Sequence, residues 1–286
     1  MDELAGRFEA SRGHLRSVAY RMLGSGAEAD DAVQETWLRL TRVDTGDIRN
    51  LTGWLTTVVS RVCLDMLRSR ASRREDLVAD PSPAAAGDDP ERDAVRADEV
   101  GRALLVVLDR LGPAERVAFV LHDMFGVPFD EIAPIVSRTP VAAKKLASRA
   151  RGRVRGTPTV GSAELARQRG VVEAFLAAAR AGDLDAVLAV LAPDVVRRAD
   201  AAAVGPDRAG EVRGARSVAD EITVFGRTAG DAVVALVDGA VGVLVAPRGR
   251  LRLVVAVTVD GDHVASYELI GDPDRLARLD LAVLAG

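Results

Sequence analysis

The chain has 286 residues and a formal net charge of −4; 48% of its residues are hydrophobic but only 3% aromatic, so its cores must be built from Ala, Val and Leu. The length predicts two or three domains; no apolar run reaches the roughly 18 to 20 residues of a membrane span, and the N-terminal MDELAGRFEASRG lacks the apolar core of a secretory signal. A single cysteine, Cys63, excludes an internal disulfide framework and fits a reducing cytoplasm, while three scattered histidines (His14, His122, His263) offer no metal-ligand cluster and no cofactor motif is present.

In chain order, residues from about 4 to 23 have the apolar spacing of a helix, ended by Gly24-Ser25-Gly26. Ser25 with Glu28 three residues on is a capping box that opens a second helix. Ala29, Val33, Thr36, Trp37 and Leu40 give that helix its buried face, leaving Asp30, Asp31, Gln34 and Glu35 as an acidic edge. Such an edge is partly compensation of the helix dipole; it also suits a basic docking partner. Val43 to Gly53 is loop-like, and Trp54 to Arg74 is predicted as one long helix. Its apolar face is Trp54, Leu55, Val58, Val62, Met66 and Leu67; Arg61, Arg68, Arg70, Arg73 and Arg74 form a basic strip.

Residues 78–93, rich in Ala, Pro, Asp and Gly, cannot bury enough apolar surface to order themselves and are predicted to be a flexible linker. A helix from about Ala94 to Leu111 follows, and Pro113 starts another that Gly126 ends. Phe129 to Val136 is a short helix, Ser137-Arg138 a tight turn, and Thr139 with Pro140 an N-cap and first helical position. Ala143, Leu146, Ala147, Ala150 and Val154 then give the next helix one apolar face. No acid occurs between Glu131 and Glu164, while Arg138, Lys144, Lys145, Arg149, Arg151, Arg153 and Arg155 all fall in that window. An arbitrary basic run is most simply a solvated surface. Here the cap, the absence of acids and the preceding short helix point to a helix-turn-helix whose second helix enters a DNA major groove. Up to Gly156 the cations and acids balance, so the net negative charge lies entirely in the remainder.

Beyond Gly156 two helices are predicted, Ala163–Ala181 and Leu184–Leu191, then a strand near Val195–Ala201 and a helix over Ser217–Gly226. Four strand-like runs follow: Ala232–Val237, Gly239–Ala246, Leu251–Val259 and His263–Ile270. The Asp-Gly pairs between them are hairpin signals, so an α+β domain with an antiparallel sheet is expected.

The stretches AEADDAVQETWLRL and GWLTTVVSRVCLDMLR, followed by LDRLGPAERVAFVLHDMFGVPFDEIAPIVSRTPVAAKKLASRARGRVR, closely resemble regions 2 and 4 of the extracytoplasmic-function (ECF) sigma factors, bacterial subunits that direct RNA polymerase to promoters. The resemblance implies a multidomain protein: an all-α region 2 bundle (1–77), the linker (78–93), and an all-α region 4 helix-turn-helix (94–156). A cone-shaped α+β domain similar to SnoaL-like or NTF2-like proteins (157–286) follows, as in the sigma-J-like subgroup. It further implies that Asp30, Asp31, Gln34 and Glu35 dock on the β′ clamp of core RNA polymerase and that region 4 meets the β flap. Asp47, Asn50, Arg61, Asp65 and Arg68 would serve the -10 element. Pro140, Val141, Lys144, Lys145, Ser148 and Arg149 would read the -35 element. Asp65 has an alternative structural role, pairing with Arg61 or Arg68 along the helix.

In that subgroup the C-terminal domain regulates the sigma factor in cis, which singles out Asp200 and the Asp272-Pro273-Asp274 of GDPDRL as regulatory residues. The chain departs from the subgroup twice. DAAAV stands at Asp200–Val204 where the subgroup has Asp-Gly-Gly-Gly-Lys, and ADPSP stands at Ala79–Pro83 where it has Trp-Leu-Pro-Glu-Pro. A small-molecule ligand for the C-terminal domain is a further candidate partner, making a ligand-responsive DNA-binding regulator the alternative reading. Least favoured is an enzyme built on Asp200, Asp220, His263 and Tyr267, since fold analogy alone does not carry function.

Overall fold

A computed structural model of the chain describes residues 2–44, 48–76, 99–225 and 230–284. The predicted linker 78–93 and Asp47 lie outside the described residues. By compactness the chain divides into two units, Met1–Arg96 with Leu108–Gly152, and Ala97–Val107 with Arg153–Gly286.

The first unit is helical. α1 (Asp2–Leu23), α2 (Gly26–Leu40) and α3 (Leu51–Asp76) pack against one another around Leu15, Val18, Met22, Leu40, Leu55 and Leu64, all buried. Phe8 and Trp37 meet at a ring-centroid distance of 4.9 Å, one of the few aromatic contacts in an aliphatic core. Ser25 caps α2 by accepting from the Glu28 N–H, one half of the predicted capping box, while the Glu28 carboxylate pairs with Arg70 instead of the Ser25 N–H. Helix α3 begins at Leu51, inside the segment expected to be loop, because Asn50 Oδ1 accepts from the Gly53 N–H at 3.0 Å and starts the helix early.

After α4 (Glu99–Asp109), α5 (Pro113–Phe119) ends in a single wide π-helical turn, Val120–Met124. α6 (Phe129–Val136) and α7 (Pro140–Arg155) complete the helix-turn-helix. Helix α3 packs on α5 and α6 within this unit. Arg116 of α5 is 3% exposed: its Nε donates to the Leu108 carbonyl (2.7 Å), its Nη1 to the Met22 carbonyl (2.9 Å) and its Nη2 to Asp109 Oδ1 (2.9 Å). One buried guanidinium thus ties the end of α1 to the α4–α5 corner.

The second unit has α8 (Ser162–Ala181), α9 (Leu184–Val190), α10 (Ala201–Val204), α11 (Ala215–Phe225) and α12 (Pro273–Arg278) around one sheet. Its strands are β1 (Leu191–Ala199), β2 (Glu211–Arg213), β3 (Ala232–Val237), β4 (Ala240–Val245), β5 (Leu253–Asp260), β6 (His263–Ile270) and β7 (Leu281–Ala282), in the order β2-β1-β6-β5-β4-β3-β7. The architecture is the α+β arrangement expected, with α8 against the central strands and α11 against β1. The sheet is not wholly antiparallel: β1 runs parallel to β6, pairing Arg197 with Tyr267. Hairpin signals specify only strands adjacent in sequence, and the long excursion between β1 and β6 leaves their relative direction free. Where the signals apply they hold. Asp238 and Gly239, at φ 49 and 79, make the β3–β4 turn.

Candidate promoter and polymerase interfaces

The DNA-reading candidate is assembled from local rules. Thr139 Oγ1 accepts from the Ala142 N–H (3.2 Å) and Pro140 follows it, so α7 starts where predicted. Ser137 adopts φ 55, and Arg138 N–H reaches back to the Ala133 carbonyl (2.9 Å), turning the chain between α6 and α7 in three residues. Ala143, Ala147, Ala150 and Val154 are buried, so the apolar face predicted for α7 is turned away from solvent. The opposite consequence of the same 3.6-residue period is that Pro140, Val141, Lys144, Lys145, Ser148 and Arg149 are all exposed and follow one stripe. That stripe is about 14 Å long at 1.5 Å per residue, commensurate with a major groove about 12 Å wide.

Val141 is 67% exposed, a β-branched apolar side chain held out beside two lysines. Apolar groups so placed contact the thymine methyl, while Lys and Arg supply phosphate or guanine contacts. Arg151 departs from the seven-cation reading of the sequence: its Nε donates to Asp123 Oδ1 at 2.6 Å, and this pairing raises its pKa. The π-helical turn that carries Asp123 therefore neutralises one cation of the basic window.

The acidic edge of α2 is exposed at Asp30, Asp31 and Gln34, with Glu35 partly covered. Asp30 pairs with Arg16 (2.8 Å) and Glu35 with Arg39 (2.8 Å), so the edge is interleaved with cations. Leu38, which sequence reasoning missed, continues it and is 42% exposed. Its signal was available, because Leu38 lies on the side of the helical wheel away from Ala29, Val33 and Leu40.

On α3, Arg61, Asp65 and Arg68 are exposed on one face, with Asp65 and Arg68 3.9 Å apart. Asn50 is exposed, and its Oδ1 is engaged in the cap of α3. Arg70 leaves the basic strip: it pairs with Glu28 and donates through Nη1 to the Leu23 carbonyl (3.0 Å), locking α3 to the α1–α2 corner. At 100° per residue, Arg70 stands nine residues and half a turn from Arg61.

In the second unit the regulatory candidates from two distant segments meet. The Asp200 carboxylate accepts from the N–H groups of Ala203 (2.9 Å), Gly271 (3.1 Å) and Asp272 (3.1 Å), and Arg275 Nη1 lies 3.5 Å away. Asp272 in turn caps α12, accepting from the Arg275 N–H (2.9 Å), with Pro273 in the first turn. A Cβ at Gly271 would stand 2.7 Å from Ala203 N, so a glycine is what lets the two segments close. Pro273 and Asp274 remain exposed.

The four residues of the enzyme reading share no such constellation. Asp200 is spent on backbone amides, Asp220 is exposed beside Arg216 (3.5 Å) and His263 is exposed. Tyr267 is buried against Phe175 (5.4 Å between ring centroids), and burial pushes its phenol pKa up. Near it Arg197, 2% exposed, donates to Glu221 Oε2 (3.0 and 2.5 Å) and to the Ala209 carbonyl (2.7 Å). No described helix is long and apolar enough to cross a membrane.

The helical regions that carry these exposed faces match known families. Residues 7–73 match the Sigma-70 region 2 family and residues 101–154 the Sigma-70, region 4 family, so the helical portion is that of a promoter-specificity factor. The ECF RNA polymerase sigma factor SigJ of Mycobacterium tuberculosis is 41% identical over 287 residues, covering 94% of this chain and 91% of that protein. The probable ECF RNA polymerase sigma factor SigI of the same species is 36% identical over 284 residues, covering 96% of this chain and 95% of that protein. A crystal structure of the Mycobacterium tuberculosis extracytoplasmic function sigma factor SigJ is 37% identical, covers 95% of this chain and 98% of that chain, and superposes with a TM-score of 0.47. The chain belongs to the ECF RNA polymerase sigma factors.

Proposed function

We propose that the chain joins core RNA polymerase in the cytoplasm and directs it to promoters, with the α+β domain regulating it in cis. The observation that carries this reading is the exposed stripe Pro140, Val141, Lys144, Lys145, Ser148 and Arg149 on a capped second helix of a helix-turn-helix, in a chain with full-length ECF relatives. The α7 stripe reads the -35 element. Arg61, Asp65 and Arg68, with Asp47 and Asn50, serve the -10 element. The α2 edge of Asp30, Asp31, Gln34 and Glu35 docks on the β′ clamp, and region 4 rests on the β flap. Unstacking a base costs a few kcal/mol, which a chain of this size shares with polymerase. Asp200 with Asp272, Pro273 and Asp274 is the regulatory locus.

Run-off transcription tests this. The full chain with core polymerase yields transcripts from a defined promoter class, and the free chain binds the same duplexes weakly. Tight, sequence-specific duplex binding by the free chain, without initiation at any enriched promoter, refutes it.

A second reading, a small-molecule ligand inside the α+β domain, is favoured by one observation. Tyr267 is buried beside the Phe175 ring, so the apolar core of this domain holds a phenol near the Arg197–Glu221 pair. A neutral, largely apolar compound bearing a carbonyl acceptor would suit such surroundings. Thermal stabilisation by such compounds that survives Tyr267→Phe unchanged refutes this placement.

A further inference from the structure

The chain leaves α7 through Gly156, and there the C-terminal tail meets it. Val283 N–H donates to the Val154 carbonyl at 2.8 Å, satisfying one of the last carbonyls that a helix end leaves open. Gly156 sits at φ 60, where an added Cβ would stand 2.5 Å from Ala282 Cβ and 3.4 Å from Leu236 Cδ1. Only a glycine allows this approach, for both the backbone conformation and the space.

The tail is fastened to the sheet in its turn. Leu281 and Ala282 pair with Val237 and Leu236 as β7 on β3. Asp280 N–H donates to Asp238 Oδ1 (2.7 Å), and Asp238 N–H to the Asp280 carbonyl (2.8 Å). Leu281, Ala282 and Leu284 are buried. The segment leaving α7 is held at the same β3–β4 turn, since Thr159 N–H donates to the Gly239 carbonyl at 2.9 Å. The last turn of α7, the outgoing segment, the β3–β4 turn and the tail are thereby one hydrogen-bonded body.

We propose that Asp280–Leu284 is a positioning strap that fixes the C-terminal end of the DNA-reading helix to the sheet, so that the register of α7 on promoter DNA depends on the α+β domain. This rests on the promoter-reading assignment above. The last turn carries exposed Arg153 and Arg155. Cations at such a place make the phosphate contacts that set a protein's register without reading sequence. A helix end frays when its carbonyls lose their partners, so the strap keeps those cations in line with the reading stripe. Ala282, Val283 and Gly156 touch no DNA in this scheme and act through α7.

The test compares the parent, Val283→Pro, Val283→Ala and a chain ending at Leu279. Each is assembled with core polymerase on two templates that differ only in the -35 element, and amide exchange is followed in the free chains. Val283→Pro removes the donor and Val283→Ala keeps it. Expected for Val283→Pro and for the shortened chain is exchange about fivefold faster at the amides of residues 152–155, the effect of one lost hydrogen bond. The transcript ratio between templates should fall at least about threefold, with Val283→Ala at parental values.

Parental exchange and ratio in both Val283→Pro and the shortened chain overturn the proposal. So does an equal loss in Val283→Ala, which would assign the effect to side-chain packing. Should Val283→Pro lose protection throughout β1 to β6, the shortened chain decides by the same two readouts. If no chain, the parent included, initiates at any promoter, the promoter reading falls, while the exchange result alone still decides whether the strap orders α7.

Discussion

Replacing Arg116 by Met keeps most of the side chain's apolar volume while removing the guanidinium that joins the end of α1 to the α4–α5 corner. The Met22 carbonyl loses its donor, while the Leu108 carbonyl loses one of two and keeps the Leu111 N–H at 3.1 Å. An orphaned buried acceptor costs about 1–3 kcal/mol, and the bond lost at Leu108 about 1 kcal/mol more. The third contact is discounted because the Asp109 side chain is 44% exposed and water screens the pair. The expected loss is about 3 kcal/mol, and Arg116→Lys, which reaches one acceptor but not the fork of three, loses roughly half of that. The assay is urea denaturation followed by tryptophan fluorescence. The chain's two tryptophans, Trp37 and Trp54, both lie in the first unit, so the signal reports that unit alone. The midpoint should fall by roughly 1–1.5 M with an unchanged slope. A fall under about 0.3 M would mean that the carbonyls find other partners and that Arg116 does not join these elements.

Asp200→Ala removes the acceptor for three backbone N–H groups and should destabilise the second unit by about 2–3 kcal/mol, while Asp200→Asn, which keeps one acceptor oxygen, costs about half as much; calorimetry of the full chain separates the two. Lys145→Ala and Arg149→Ala should each lower the salt dependence of holoenzyme binding to promoter DNA by about one unit of slope, whereas Arg151→Ala, whose charge Asp123 already compensates, should change it less. Burial pushes the Cys63 thiol up to about 12. Since the thiolate is the reactive form and the folded pKa lies well above pH 8, alkylation at pH 8 should be undetectable in the folded chain and rapid once it is unfolded.

What could be read from the sequence was what obeys local rules. The Ser25 cap, the Thr139-Pro140 start of α7 and the Asp-Gly turns each depend on residues within about four positions, and the exposed stripe of α7 follows from helical periodicity. What could not be read depends on partners far apart in the chain. Arg116 and Met22 are 94 residues apart, and Asp200 and Gly271 are 71 apart. Asp200 and GDPDRL were each singled out by resemblance, but nothing in either segment announces that one carboxylate would accept the other segment's amides. The two-residue strand β7 is too short to leave a pattern, and the parallel β1–β6 pair has no turn to mark it. Arg70 is a different case, since the helical wheel places it opposite Arg61, and charge counted without phase put it in the wrong strip.

The second unit takes in Ala97–Val107, and so most of α4, although the region 4 match begins at residue 101. Ala103, Leu105, Val106 and Val107 are each 5% exposed or less, too many successive positions for a helix with one free face. A fragment starting at residue 157 would leave out Ala97–Val107 and Arg153–Gly156, which belong to the same compact unit, so the α+β domain is not a contiguous cassette in the sequence.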